Sequence, residues 1–283
     1  MEYFGMDLLV LAVVFTVASI PMGAFAYGFS SISTPLLLLA GYTNRQFAPL
    51  LNFIELWQNP LLLYLDRRSI TAKALGQALP ISLGIVPGTL VGALLLKSAD
   101  PSLLRLATFL VLAPLVLAQA AGIRRPLGDW RLLAPLGFPI GVLYGVTTIS
   151  GPPLAMILNN NGLVKGEFRT AMAVIRTVES TATFISYLTL GVFKPAVVYL
   201  AALVAPVIVA SMIIGQVVAR MARPEDFRRL TMSFDAWVIG YGLMEALGHW
   251  LPFALIVIAD LILLRYYITV QRPRIIKGEN SPI

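Results

Sequence analysis

Apolar stretches at about 8–40, 47–65, 76–96, 103–122, 132–158, 170–191, 195–219, 230–247 and 251–270 alternate with short polar connections, and no low-complexity linker divides them. Most approach the roughly 20 apolar residues that carry a helix across a bilayer, so the pattern predicts an all-α bundle of membrane helices in one transmembrane domain spanning 1–283. Two stretches are interrupted. Inside 8–40 lies Tyr27-Gly28-Phe29-Ser30-Ser31-Ile32-Ser33-Thr34-Pro35, and inside 132–158 lies Tyr144-Gly145-Val146-Thr147-Thr148-Ile149-Ser150-Gly151-Pro152. Within hydrocarbon every backbone N–H and C=O has to be satisfied, so irregular chain at that depth survives only buried in protein or lining a cavity. Meeting such a break twice predicts paired repeats around a central site.

Three sets of matches trace the duplication. The broken motif recurs after 117 positions, Asn52-x-x-Glu55 recurs as Arg176-x-x-Glu179 after 124, and Gly92, Lys97, Pro101 and Arg105 recur as Gly215, Arg220, Pro224 and Arg228 after 123. They divide the chain into repeat one over 8–122, repeat two over 132–247 and an additional C-terminal span at 251–270, the halves being joined near 123–131.

Composition agrees with a membrane protein. Of 283 residues 58% are hydrophobic and 12% charged, with a mean hydropathy of +0.83, against roughly 45–50% apolar and about 25% charged for soluble domains. The net charge of +7 is scattered in short clusters between the apolar runs, where it sets topology instead of binding nucleic acid. Cysteine is absent and His249 is the single histidine, which excludes disulfides, thiolate metal sites and cysteine nucleophiles. Ala24-Phe25-Ala26 has the look of a signal-cleavage site, but Glu2 and Asp7 stand where a basic start is required, so it reads as mature structure.

Cytoplasmic loops collect Lys and Arg. If 8–40 and 132–158 are single crossings, the basic residues divide poorly between the two sides. If each turns back at its Tyr-Gly break, Arg67, Arg68, Lys73, Arg169 and most others share one side, and only Arg45, Lys97, Arg105 and Lys194 lie opposite. The expectation is two re-entrant helical hairpins plus seven crossings, with inverted repeats, the N-terminus outside and the C-terminus inside.

Each break is followed by a helix-start signal, Thr34 then Pro35, and Ser150-Gly151 then Pro152-Pro153. Hydroxyl residues cap helices, and proline suits the first helical position. Two helix N-termini pointing inward near mid-membrane make an anion site, because unpaired N–H groups and the positive dipole end both favour negative charge. Ser30, Ser31, Ser33, Thr34, Thr147, Thr148, Ser150 and Gly151 are the candidate contacts, a donor set that fits a small oxyanion such as sulfite or a sulfonate.

Arg176 is the basic residue expected deep inside a membrane segment, where a charge is costly enough to imply function. Glu179, one turn on, shares its face, so the pair is either mutually neutralised or an anion-attracting arginine held by its glutamate. Glu55 has Asn52 in place of an arginine and is expected to lack a local partner; such a carboxylate takes up a proton coupled to transport or serves as a neutral hydrogen-bonding group. Trp57 is expected to pack, Gln58 and Asn59 to border the same cavity, and Asn159-Asn160-Asn161 to form a polar loop. Gly84, Gly88 and Gly92 form a small-residue stripe of the kind that packs helices. Asp235, Glu245 and Asp260 fall in late apolar runs without an assignable partner. No His-x-x-x-His, Gly-x-Ser-x-Gly or Gly-x-x-x-x-Gly-Lys motif supports an enzyme or an ATP-driven pump.

With its Gly23 to Pro35 and Gly141 to Pro153 motifs each opening a half, and Gly92 and Gly215 leading into Pro101 and Pro224, the chain resembles the TauE/SafE family of bacterial sulfite and organosulfonate exporters, also called toluene sulfonate uptake permeases. The resemblance covers most of residues 8–247. Ser30, Ser31, Thr147 and Thr148 stand where the family pattern is richer in glycine. It implies a multi-pass permease of the bacterial inner membrane for small sulfur-containing anions, without a cofactor. The expected partners are the anionic substrate, a coupled proton or other ion and the lipid bilayer, with a homodimer as an open oligomeric alternative. An anion channel of the same architecture and a non-transporting membrane scaffold are the rival readings. Single cysteines placed at Arg45 and Arg67 are expected to react with membrane-impermeant maleimide from opposite sides; labelling of both from one side contradicts the topology.

Overall fold

The computed structural model describes residues 6–121, 130–160, 163, 165–221 and 224–273. These fold as helices with short connections, and no strand occurs among them. The helices are α1 (Leu8–Phe25), α2 (Phe29–Leu39), α3 (Asn44–Leu65), α4 (Ala72–Ser98), α5 (Pro101–Ala120), α6 (Trp130–Thr147), α7 (Gly151–Asn160), α8 (Lys165–Thr189), α9 (Ala196–Met221), α10 (Pro224–Leu247) and α11 (Leu251–Tyr266), with a π-helical turn at Tyr267–Gln271 continuing α11. Four of them, α4, α5, α9 and α11 with its π turn, are long and apolar enough to cross a membrane. Helices α3, α8 and α10 match them in length and carry the polar residues. The 123–131 junction falls largely outside the described residues, as does Asn161 of the expected polar loop.

The first broken stretch folds back on itself. Asp7 caps α1, its carboxylate accepting from the Leu9 N–H at 2.8 Å. The helix ends where Ala26 takes a left-handed φ of 64° and its N–H bonds the Met22 carbonyl. Gly28, at φ 109°, reverses the chain, a conformation glycine adopts without a Cβ penalty. Phe29 then lies beside Phe15 at 5.3 Å between ring centroids. Beyond α2, the Tyr42 hydroxyl accepts from the Asp7 N–H at 2.9 Å, so the end of the hairpin meets its beginning.

This geometry corrects two sequence expectations. Helix α2 starts at Phe29, so Pro35 lies inside it and Thr34 is not its cap; the left-handed residues just before Phe29 make the turn that Thr34-Pro35 was expected to make. Second, the Tyr-Gly motifs are not structural equivalents. Helix α6 runs straight through Tyr144-Gly145, and the second break comes at Thr148, whose φ is 60°. Ala26 and Thr148, the described non-glycine residues with positive φ, lie 122 positions apart, close to the 123 and 124 of the other matches and not to 117. Helix α7 begins at Gly151, as expected, and Pro101 and Pro224 both open their helices.

Glycines let the helices approach closely. Gly84, Gly88 and Gly92 on α4 face Gly137, Gly141 and Gly145 on α6, and a Cβ on Gly88 would stand 2.2 Å from the Phe138 carbonyl oxygen. In each facing pair the added Cβ meets the carbonyl three residues before the opposite glycine, as between Gly92 and Val142 and between Gly145 and Thr89. Gly23 on α1 and Gly215 on α9 repeat that relation through Met212 and Ile20. The α4–α6 contact thus has its counterpart in α9–α1. Bare backbone surfaces in this arrangement gain dispersion contact that lipid cannot match.

The two ends of the bundle are tied by arginines. Arg45, opening α3, donates to the Leu96 and Ala99 carbonyls at the end of α4 (2.8 and 2.6 Å), and Arg105 of α5 pairs with Glu245 at the end of α10 (2.8 Å). At the other end Arg169 of α8 pairs with Asp66 (2.9 Å) and donates to the Ala24 carbonyl (2.8 Å), while Thr71 donates to Glu167 (2.9 Å). Asp260 pairs with Arg229, and Asp235 is buried. Gly88→Leu or Gly141→Leu is expected to lower the melting temperature in detergent by many degrees or abolish recovery of a monodisperse peak. Gly76→Ala, which has no neighbour within 4 Å, is the control expected to change little.

Candidate functional site

Helices α3 and α8 cross at their midpoints, each long enough to carry a residue from one end of the bundle to its centre. The crossing brings together Asn52, Glu55 and Asn59 from the first half with Arg176, Glu179 and Ser180 from the second, all buried. The broken stretches close around it. The first turn of α2 packs on the start of α7, with the Tyr27 ring and the Ser31 hydroxyl against Gly151, and the Thr34 hydroxyl donates to the Thr147 carbonyl at 2.8 Å.

Glu55 is the most heavily bonded group. Its Oε1 accepts from Arg176 Nη2 at 2.5 Å and from the Ser30 hydroxyl, and its Oε2 accepts from the Tyr144 hydroxyl at 2.6 Å. Its partners therefore come from α2, α6 and α8. Glu179 accepts from the Ser150 hydroxyl at 2.5 Å through Oε2, while its Oε1 has no hydrogen-bond partner. Arg176 Nη1 approaches the Ser150 hydroxyl at 3.4 Å, and its Nε is unpartnered. Asn52 donates to the Tyr144 hydroxyl (3.3 Å) and the Ser180 carbonyl (3.1 Å), and Asn59 to the Arg176 carbonyl (3.2 Å).

The ion pair is a correction. Glu55 was expected to lack a partner and Glu179 to hold Arg176, but the close carboxylate on Arg176 is Glu55, reached from the other half. Sequence spacing finds partners on one helix face, not those across a crossing. Tyr144 was missed for the same reason. It was legible only as part of a motif, and its hydroxyl comes into play because α6 stays helical there. Of the other candidates, Ser33 is buried with its hydroxyl unpartnered; the Thr147 hydroxyl donates to the Leu143 carbonyl (2.7 Å) and that of Thr148 to the Thr147 carbonyl (2.6 Å). Gln58 turns away toward Met212, and Trp57 packs at the edge of the core. Helix α7 offers fewer N–H donors than expected, since Pro152 and Pro153 have none.

The cluster holds one guanidinium against two carboxylates at a depth where water is excluded. With both carboxylates ionised it carries an uncompensated negative charge, and Glu179 Oε1 is a bare buried acceptor, each a costly condition. A proton on either carboxylate removes the excess charge. Arg176 Nε and Ser33 Oγ are buried donors without a hydrogen-bond partner.

A family model described as Sulfite exporter TauE/SafE matches residues 10–242. A protein of Cupriavidus necator described as "Probable sulfite/organosulfonate exporter TauE" is 26% identical over 198 residues, covering 67% of this chain and 73% of its own length. No solved structure matches significantly. This chain belongs to the TauE/SafE family, a family of membrane transporters.

Arg176→Met leaves Glu55 buried without its counter-charge and is expected to destabilise by about 3–5 kcal/mol, the range for breaking a buried pair. The double variant Glu55→Gln/Arg176→Met is expected to recover most of that loss. Thermal melts of the purified proteins in one detergent check the pair; a double variant no more stable than Arg176→Met contradicts the pairing.

Proposed function

We propose that this chain is a secondary transporter of the bacterial inner membrane that moves small sulfur-containing oxyanions, such as sulfite, sulfoacetate or another organosulfonate, by alternating access. The observation that carries the reading is Arg176, a buried guanidinium at the crossing of the two halves, with the breaks of both halves packed around it. The family and the name of the Cupriavidus necator relative support the sulfur, and the buried guanidinium supports an anion. The chain is read as two inverted repeats, 8–122 and 132–247, the exchanged α4–α6 and α9–α1 glycine contacts being its structural support. Substrate contacts are assigned to Ser30, Ser31, Ser33, Thr34, Asn52, Thr147, Thr148, Ser150, Gly151 and Arg176.

An anion reaching Arg176 competes with Glu55 for the same guanidinium. The two carboxylates therefore set the conditions for binding: every proton they take up removes a rival negative charge. We assign the coupled proton to Glu179, which has one hydroxyl donor and a bare oxygen, over Glu55, which has three donors. Burial of the whole cluster favours a carrier, in which the halves open in turn, over a continuously open channel.

Flux into proteoliposomes tests this. Sulfite or sulfoacetate is expected to enter saturably, faster than sulfate or chloride, and to be driven by an imposed proton gradient. Arg176→Ala is expected to abolish the flux, and Glu179→Gln to retain exchange of anion for anion while losing its response to the gradient. No flux of any of these anions under either gradient, or wild-type flux in Arg176→Ala, overturns the proposal.

A further inference from the structure

A second buried arginine lies away from the central site, between α10 and α11. Arg229 is 4% exposed, and its Nη2 is held by Asp260 through Oδ1 at 2.8 Å and the backbone carbonyl at 3.0 Å. Asp260 also accepts from Ser233 (3.3 Å) and from Trp237 Nε1 (3.1 Å), so both oxygens of this carboxylate are bonded by its own neighbours. Arg229 is not: Nε and Nη1 have no partner. The side chain borders a groove of about 490 Å³ whose walls include Trp237, Phe234 and Leu264 on the apolar side and Tyr267 and Arg272 toward the end of the bundle.

Three further facts define what fits there. The groove lies on the helices facing the surroundings of the bundle, where Phe234 and Trp237 are 41% and 44% exposed. Its lower wall is the π-helical turn at Tyr267–Gln271, an irregularity that proteins commonly retain where a ligand is met. It also sits at the end opposite the Arg105–Glu245 pair, because Glu245 closes the helix that Arg229 opens. That is the end of Arg67, Arg68 and Arg169, which a positive-inside orientation places toward the anionic inner leaflet.

We propose that this groove is a binding site for an anionic phospholipid, with the headgroup phosphate between Arg229 and Arg272 and an acyl chain along Phe234, Leu264 and Ile268. A phosphate supplies acceptor oxygens to the Arg229 N–H groups that the protein leaves bare, and the apolar wall has the polarity of a lipid tail. Asp260 holds the guanidinium at the wall of the groove. The site stabilises α11 against α10 and is separate from the transport site.

The test is thermal melting of the full chain in detergent supplemented with dioleoyl phosphatidylglycerol or with dioleoyl phosphatidylcholine. Phosphatidylglycerol is expected to raise the melting temperature by several degrees over phosphatidylcholine. Arg272→Gln is expected to lose most of that increment, whereas Arg265→Gln, a basic residue nearby on α11 outside the groove, keeps it. Because Arg229→Gln strands Asp260, its decisive readout is the lipid-dependent increment and not its absolute stability. Equal stabilisation by both lipids, an undiminished increment in Arg272→Gln and Arg229→Gln, or the same shift produced by inorganic phosphate without lipid would each overturn the assignment.

Discussion

A guanidinium in hydrocarbon has to be answered by charge or hydrogen bonds from the protein, since water is not there to do it. Arg176 is answered chiefly by Glu55, and that pairing ties the two halves at the centre of the molecule. Much of the architecture follows from keeping the pair dry and bonded. Helices α3 and α8 cross at the pair, α6 brings Tyr144 onto the second carboxylate oxygen, and α2 brings Ser30 onto the first. Removing any of these elements exposes a charge or strands a polar atom.

The chain breaks and the glycines serve the same end. A continuous helix through Ala26–Gly28 would keep the Ser30 hydroxyl from turning back to Glu55; the left-handed residues allow it. Close approach of α4 to α6 and of α1 to α9 is possible only without side chains at Gly88, Gly141, Gly23 and Gly215. Tight outer contacts of this kind leave the polar groups to meet each other in the interior. Arginines at both ends cap helix carbonyls that would otherwise end unbonded, as Arg45 does for α4 and Arg169 for α1.

Much of this was legible in the sequence. The all-helical bundle follows from the apolar runs, because in lipid a helix advertises itself by composition and length. Arg176, Glu179, Glu55 and the hydroxyl clusters stand out because polar residues in such runs are rare. The pairing was not legible. Glu55 and Arg176 are far apart in sequence, and only the crossing of α3 with α8 decides which carboxylate the arginine takes. The repeated Tyr-Gly motif misled in register for a physical reason: the same dipeptide serves as a turn at Gly28, where φ is positive, and as a packing surface at Gly145, where a Cβ would meet the Thr89 carbonyl at 2.6 Å. The 122-residue spacing of Ala26 and Thr148 appears only once backbone angles are known.

With one arginine set between two carboxylates, the proposed transport makes anion binding and proton binding one event. The direct measurement is proton uptake on binding, obtained by calorimetric titration of the purified protein near neutral pH in two buffers of different ionisation enthalpy. The anion is an organosulfonate whose own groups do not titrate in that range. The account predicts uptake approaching one proton per bound anion, lost in Glu179→Gln with binding retained. Anion binding of the same stoichiometry with no proton uptake would contradict it.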